Sequence, residues 1–471
     1  MKNFVKISVS IALPTMVGFA VNYAYQLVDA WWVAQLGPGA PTAIIIAGAV
    51  FSLLMSINEI IGISTIPLFT QAFGKKDKEK TGYVIFHGIL LKAVLGFIFS
   101  FLFLFLINNF LYIYTDNAEI TAMVKEYGNY IFVSLFLIMP FATIQTALRT
   151  IGEANKTMII SIISTLFNLI LDPILIFGVG EKATISLDYF SNGSFRLLGE
   201  GSQSLFGIIS IPSLGIKGAA IATILTQFLG LITASIFLLK NREKIKVFQF
   251  KFLKFDKNLI IKMLTIGIPA GAIAFIFNFE QNFVTSIAAN YGVAISDGFG
   301  IASRIRGIMF MSTFGLSIGA SIAAGQYIGR GEFNHIRKEM KNLILVVVGL
   351  LSILCIPIFI FSPFIMRLFS QNVETVHSGT VFLRFFSIIP YLIAICMMFE
   401  SVFTAAGKNL PRLFATSLIV LGFEFPIMFI SHYYFNLPYW GIGAIMVGTG
   451  IIYIITDYIL FSTKMWEVNP N

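Results

Sequence analysis

The chain has 471 residues, 57% of them hydrophobic and only 12% charged, with 49 Phe and a formal net charge of +9. Apolar stretches of about 20 residues or more, each enough to cross a bilayer as a helix, recur along its whole length; a water-soluble globular domain, a disordered chain and a disulfide-stapled module are excluded. The two cysteines, Cys355 and Cys396, fall inside apolar stretches and offer neither a disulfide framework nor metal-ligand spacing.

Only helices and closed barrels satisfy their own backbone in lipid, and these stretches have helical length. Spans 1 to 12 are predicted near 7–35, 42–73, 83–112, 123–148, 156–180, 214–239, 259–289, 298–328, 339–369, 376–405, 411–435 and 440–463. The expected fold class is therefore an all-α polytopic membrane protein. Several spans exceed the minimum, so tilted or kinked helices are expected. The first begins after only Lys2 and Lys6, is longer than a secretory signal and lacks a small-residue cleavage site, so it reads as an uncleaved span.

The basic residues explain themselves as topology rather than as a nucleic-acid surface. Lys75, Lys76, Lys78 and Lys80 lie between spans 2 and 3, Arg149 and Lys156 between 4 and 5, Arg330, Arg337 and Lys338 between 8 and 9, and Lys408 and Arg412 between 10 and 11. The 1–2, 3–4, 7–8 and 11–12 connections carry almost no Lys or Arg. By the positive-inside rule the basic loops are cytoplasmic, and an even number of spans puts both termini there. The richest stretch, from Lys240 through Arg242, Lys244, Lys246, Lys251, Lys254 and Lys257 to Lys262, joins span 6 to span 7. It reads as a topogenic linker, with contact to anionic lipid as a sharper alternative.

That linker divides the chain into two halves of six spans, and the halves repeat. Adding 255 carries Ile11 onto Ile266, Pro14 onto Pro269, Gly37 onto Gly292, Ile46 onto Ile301, Ala47 onto Ala302, Gln71 onto Gln326, Gly74 onto Gly329 and Gly152 onto Gly407. Prolines, glycines and a glutamine at one constant offset each mark a backbone or packing event, which shared apolar residues do not. Six is even, so both copies enter from the same side and the pseudo-two-fold axis runs along the membrane normal. Parallel repeats of this kind are an architecture of secondary transporters. The expected domains are a six-helix lobe over 1–238, a basic linker over 239–262 and a second lobe over 263–471.

Residues 181–213, between spans 5 and 6, have no counterpart of similar length in the second half and read as an external insertion. The alternation around Asn192-Gly193 suits a β-hairpin turn, and a plain loop is the competing reading. Asn192-Gly193-Ser194 also matches a glycosylation sequon, which matters only in a eukaryotic source.

Ionisable groups inside a membrane are costly and usually face the protein interior or a water-filled cavity. In span 1, Tyr25 and Asp29 are four apart and share a helical face; in span 5, Asn168 and Asp172 do the same. Pro173 frees the carbonyl of Leu169 and favours a bend. Each aspartate lies roughly two helical turns from the outer end of its span, so the two are expected at one depth in one lobe. Thr223, in the GIKGAAIAT run that opens span 6, can add a hydroxyl. Such a set is rich in acceptors and short of positive charge, which a proton or a sodium ion would supply. The competing reading pairs Asp29 or Asp172 with Lys92, Arg304, Arg306 or Arg384.

These segments together resemble the multidrug and toxic compound extrusion (MATE) transporters, within the wider multidrug, oligosaccharidyl-lipid and polysaccharide exporter group. The resemblance covers nearly the whole chain. It is carried by IALP and LVDAWWVAQLG in span 1, TQAFGKKD and GQYIGRGE at the ends of spans 2 and 8, and LRTIGEANKTM and AAGKNLPRL after spans 4 and 10. NLILDPILIFG in span 5 and GIKGAAIAT opening span 6 complete it.

The resemblance implies export of organic cations and other amphipathic compounds by rocking two lobes, driven by an inward proton or sodium gradient, with no other cofactor. It also implies a cell-membrane location, small-molecule substrates and lipids as partners, no nucleic acid, and a monomer as the working form. The DinF-like branch and its archaeal relatives look closest, because their first lobe holds a cation site that matches Tyr25, Asp29, Asn168, Asp172 and Thr223, with sodium at Asp29, Asn168 and Asp172 as one form. Pro14 and Pro173 are the expected hinges. NorM-type relatives carry a glutamate in span 7, for which Glu280 is the candidate here, eleven residues after Pro269 and further along than usual. Glu400, Glu424 and Glu59 are further intramembrane acids that read first as structural or cavity-lining groups. The Phe and Met residues are mostly packing, and a few lining a cavity would suit flat hydrophobic cations.

The chief alternative is a flippase of the same group for a lipid-linked oligosaccharide or other lipid, which the intramembrane Lys92, Arg304, Arg306 and Arg384 keep open. An enzyme is not expected, since no His-rich metal set, P-loop or nucleophile constellation is present.

Overall fold

A computed structural model describes residues 4–37, 39–111, 117–178, 212–246 and 256–467. Within them the chain makes twelve helical passes, one for each predicted span: α1 Phe4–Ala34, α2 Ala40–Gly74, α3 Lys78–Leu111, α4 Ala118–Thr150, α5 Ala154–Phe177, α6 Gly215–Lys240, α7 Lys257–Ala289, α8 Val293–Gly329, α9 Phe333–Ile360 with a short continuation Ser362–Phe369, α10 Val373–Ala406, α11 Leu410–Tyr433 and α12 Trp440–Ser462. Eleven are long and apolar enough to cross a membrane, and α2, with 35 residues, makes the twelfth pass. Among the described residues there is no strand. The expected hairpin and sequon in the insertion lie outside these residues, as do the basic positions Lys251 and Lys254. The insertion's described end returns to α5, where Leu214 N–H donates to Leu175 O at 3.0 Å and the Ser213 hydroxyl to Ile176 O at 3.1 Å.

Hydropathy decides that these segments are helices; punctuation decides where they begin. Asn117 caps α4 by accepting from the N–H groups of Glu119 and Ile120, and Asn372 caps α10 in the same way from Glu374 and Thr375. The two caps stand at the 255-residue offset. Gly37 and Gly292, also at that offset, turn the chain with φ of 103° and 104°, a conformation that an L side chain rarely adopts. The repeat thus extends from composition to backbone. Helices often run a turn or two past the predicted span because their ends are polar but still hydrogen-bonded. Two irregularities left no mark in hydropathy: a 3₁₀ turn at Phe132–Ser134 in α4 and a π-helical stretch at Ser417–Glu424 in α11. Pro14 and Pro173 lie within α1 and α5, which continue through them.

The first six helices and the last six form two lobes. Within the first, α1 packs on α5, α3 on α4 and α5 on α6; within the second, α8 packs on α10 and α10 on α12. Between lobes the seam joins α1 to α8 and α2 to α7. It closes through small residues. A Cβ on Gly315 would stand 2.7 Å from Met16 Cα, and one on Gly271 would stand 2.2 Å from Ile60 Cγ1. These two contacts are repeat mates, since Met16 corresponds to Gly271 and Ile60 to Gly315; the large residue belongs to the first lobe both times.

The seam occupies the half of the molecule nearest the face where α1 begins and α12 ends. It runs from Phe4, edge-on to Tyr327 at 5.4 Å, to Tyr23, whose hydroxyl donates to Arg304 O at 2.9 Å. Beyond it, towards the opposite face, Asn278 and Asn282 of α7 and Arg304 of α8 are exposed.

Candidate functional site

The packing of α1 against α5 brings the sequence-predicted polar residues of the first lobe together. The carboxyl groups of Asp29 and Asp172 lie against each other, and the Asn168 side chain lies beside Asp172. From α6, the Thr223 hydroxyl stands 3.4 Å from the Tyr25 hydroxyl and bonds Ala219 O at 3.1 Å. Asn168 and Asp172 are fully buried, and Asp29 and Thr223 nearly so. The cause is the one visible in sequence: a four-residue spacing puts each pair on one helix face, and equal depth makes the faces meet.

The buried polar atoms of this cluster are left without protein partners. Asp29 Oδ1, both carboxyl oxygens of Asp172, and both amide atoms of Asn168 make no hydrogen bond of ordinary geometry. Each such atom costs about 1–3 kcal/mol when shielded from water, and a bound proton or cation would relieve the oxygens, which are all of the set but the Asn168 amide nitrogen. The oxygens suit either one. Two carboxylates can share a proton, and carboxylate, amide and hydroxyl oxygens are the hard donors that a sodium ion takes.

Of the intramembrane bases, Arg304 is exposed and the other three are engaged elsewhere. Lys92 lies with Glu59 around Gly62, where a Cβ would be 3.3 Å from Lys92 Nζ and 3.5 Å from Glu59 Oε2. Arg306 stands over the Phe386 ring at 4.8 Å and Arg384 over Phe359 at 5.8 Å. Among the described residues no ion pair joins Asp29 or Asp172 to a base. Tyr127 of α4 completes the wall; it interacts with Tyr25, Asp29 and Asp172 and is 7% exposed. Sequence reasoning missed it, because KEYGNYI, a polar run opening a span, does not mark which of its residues turns inward.

The second lobe holds two further acidic clusters. Glu280 lies against Glu424, with Arg306 near the former and Thr449 beside the latter. Glu280 occupies the repeat position of Tyr25, and Thr449 ends GIGAIMVGT, which opens α12 as GIKGAAIAT opens α6. Glu400 is ion-paired with Arg412 at 2.5 Å, and Asp457 of α12 stands beside them with Oδ2 unpartnered. Glu59, Glu280 and Glu400 therefore sit apart from the first-lobe cluster, each with its own partner. At the seam, the rings of Phe19 and Phe314 meet at 5.8 Å, and Arg149 stands over Phe19 at 5.5 Å.

Two repeated six-helix lobes meeting at one face, with a buried carboxylate pair that no base accompanies in the first of them, define the architecture of a polytopic membrane transporter. A family model described as MatE matches residues 14–174 and again 269–430, and its two matches begin at Pro14 and Pro269, the pair already related by the repeat. The chain belongs to this family. Among relatives, the probable multidrug resistance protein YoeA of Bacillus subtilis is 24% identical over 91% of this chain and 87% of its own length. The multidrug export protein MepA of Staphylococcus aureus is 23% identical over 90% and 87%. A solved structure described as the outward-facing conformation of a multidrug resistance MATE family transporter superposes with a TM-score of 0.84 at 20% identity, covering 98% of this chain and 96% of that one. The chain is thus a multi-pass membrane protein of a multidrug efflux transporter family.

Proposed function

We propose that the protein is a secondary active antiporter of the cell membrane. It exports organic cations and other amphipathic compounds in exchange for protons or sodium ions. The observation that carries this reading is the Asp29–Asp172 pair: two buried carboxyls with unpartnered oxygens and no base beside them. In this reading the lobes span 1–238 and 263–471, the basic linker tethers them, both termini are cytoplasmic, the working form is a monomer, and the DinF-like branch is the nearest relative group.

The seam closes the cytoplasmic half and leaves the opposite half open. Exposed Asn278 and Asn282 support this, since amides on an apolar helix belong in a water-filled cleft rather than in lipid. A proton or sodium ion entering from outside neutralises the carboxylate pair. That removes the repulsion between α1 and α5, so α1 bends near Pro14 or Asp29, the space it lines in the first lobe is reshaped and drug leaves outward. Cation and drug need not share atoms; they need only prefer different conformations. The ring of Phe310 stacks on that of Phe314 at 6.4 Å, and with Phe19 these rings offer flat apolar contact for the substrate.

The test is transport in proteoliposomes loaded with a fluorescent organic cation and energised separately by a proton or a sodium gradient. Asp29→Asn and Asp172→Asn should abolish gradient-driven movement while insertion and drug binding persist, and Glu424→Gln should be milder. Wild-type rates in both aspartate variants would falsify the first-lobe site and move attention to Glu280.

A further inference from the structure

Four helix ends meet at the closed face, and they do so with the symmetry of the repeat. Helices α4 and α10 each end at a glycine of positive φ, Gly152 at 82° and Gly407 at 75°. Each final turn is closed alike: Glu153 N–H donates to Leu148 O at 2.9 Å, and Lys408 N–H to Phe403 O at 3.0 Å. The last carbonyls of a helix lack intrahelical donors. Here the carbonyls of Thr150 and Ala405 take theirs from the opposite lobe. Gln71 of α2 donates its side-chain amide to Ala405 O at 2.7 Å, and Gln326 of α8 donates to Thr150 O at 2.9 Å.

All four residues obey the 255-residue offset: Gln71 matches Gln326, and Thr150 matches Ala405. The two bonds are therefore one contact made twice, on either side of the pseudo-two-fold axis. The axis can be located. Thr70 and Gly325 are repeat mates that touch each other, a Cβ on Gly325 falling 1.8 Å from Thr70 Oγ1, so the axis passes between them. The adjoining glycines bring the backbones close enough for the amides to reach. A Cβ on Gly74 would lie 2.3 Å from Gln326 O, and one on its mate Gly329 would lie 2.3 Å from Gln71 O. Gln326 and Thr150 are buried, so water offers these groups no alternative partner while the face is closed.

We propose that Gln71 and Gln326 are positioning residues of the transport cycle, a duplicated latch in which each lobe caps a helix end of the other. This rests on the reading that the lobes alternate access by moving against each other. Opening the closed face must break both bonds in a single rotation, and each freed amide and carbonyl is then handed to water. The latch thus biases the equilibrium towards the state closed at this face, by the same amount on each side of the axis.

The experiment reads lobe opening directly, without transport. A reporter cysteine replaces Ile322, which is fully buried in the seam against Ile11 and Ile66, in protein whose Cys355 and Cys396 are replaced by alanine. N-ethylmaleimide labelling is then followed in proteoliposomes with no gradient. Gln71→Met and Gln326→Met keep side-chain bulk and remove the donor. Each should raise the labelling rate roughly fivefold to tenfold, the worth of one hydrogen bond, and the double variant should approach the product of the two. Should the double variant fail to insert, the two single variants decide the matter alone. Labelling at the parent rate in both single variants would overturn the latch. A parent protein that moves no drug under either gradient, yet shows these labelling changes, sinks the antiport reading and leaves the latch standing.

Discussion

Asp29 of α1 faces Asp172 of α5 within the first lobe, and none of the intramembrane bases Lys92, Arg304, Arg306 and Arg384 is ion-paired with either. Asn168 is the neutral member of this set, with both amide atoms buried and unpartnered. Asn168→Ala should therefore weaken coupling without eliminating it, because one neutral ligand is lost and both charges stay. The loss should be roughly fivefold to tenfold in apparent affinity for the coupling ion, the worth of one polar contact. Transport rate against proton or sodium concentration measures it; a complete loss equal to that of Asp172→Asn would show that the amide does more than ligate.

Much of this site was legible because membrane helices impose depth as well as periodicity. A carboxylate four residues from a hydroxyl, and another four from an amide, at equal distance from the outer surface, are constrained to meet once the helices pack. Tyr127 was not legible: nothing in its own span marks which face of α4 turns inward, and one tyrosine in a polar opening turn resembles an interfacial anchor. The partner of Glu280 was hidden for another reason. Glu424 lies at the end of the π-helical stretch of α11, and widening the helix shifts side chains off the 3.6-residue register on which spacing arguments rest. The repeat was legible through its glycines and prolines, while the helix caps at Asn117 and Asn372 escaped notice because a single asparagine is a common residue.

Arg412 holds Glu400 in a buried ion pair and also donates to the Thr404 hydroxyl at 2.9 Å, with Asp457 close by. Replacing Arg412 by Met strands two carboxyl groups in a buried site. Breaking one side of a buried pair costs about 3–5 kcal/mol. The Arg412→Met, Glu400→Gln double variant removes both charges and should recover much of that loss. Thermal unfolding in detergent by intrinsic fluorescence gives the comparison, and equal melting temperatures for the single and double variants would contradict it.

Two glycines of the second lobe should respond in opposite directions to the same substitution. A Cβ on Gly298 of α8 would stand 2.5 Å from Ser378 Oγ and 2.7 Å from the backbone nitrogen of Gly379, so α10 must move away. Gly298→Ala should destabilise by about 1–3 kcal/mol through overpacking. Gly349 of α9 has nothing within 4 Å of the added atom, so Gly349→Ala should stabilise by up to about 1 kcal/mol from helix propensity. The pair of melting temperatures checks both: a fall in both would show that helix α9 is not free at Gly349, and a rise in both that α10 yields at Gly298.

Asp256, at the start of α7, ties the linker to the first lobe. Its Oδ1 accepts the Leu259 N–H at 3.0 Å, and its Oδ2 accepts the Tyr83 hydroxyl at 2.8 Å. The Leu259 N–H first, and the Tyr83 hydroxyl after it, hold this carboxyl below its ordinary value. A carboxyl lowered on folding contributes stability that is complete above its unfolded value, ~3.9, and is lost as pH falls through the folded value. Asp256→Ala should thus lower stability at neutral pH by about 1 kcal/mol or less, the worth of an exposed cap. The gap in melting temperature from the parent should stay constant from pH 8 down to about 5 and close only below about 4, where the parent's carboxyl begins to protonate. Tyr83→Phe should show part of the same gap with the same pH dependence, because it removes one of the two bonds and leaves the cap. A gap that changes between pH 6 and 8 would show that a group other than Asp256 sets it.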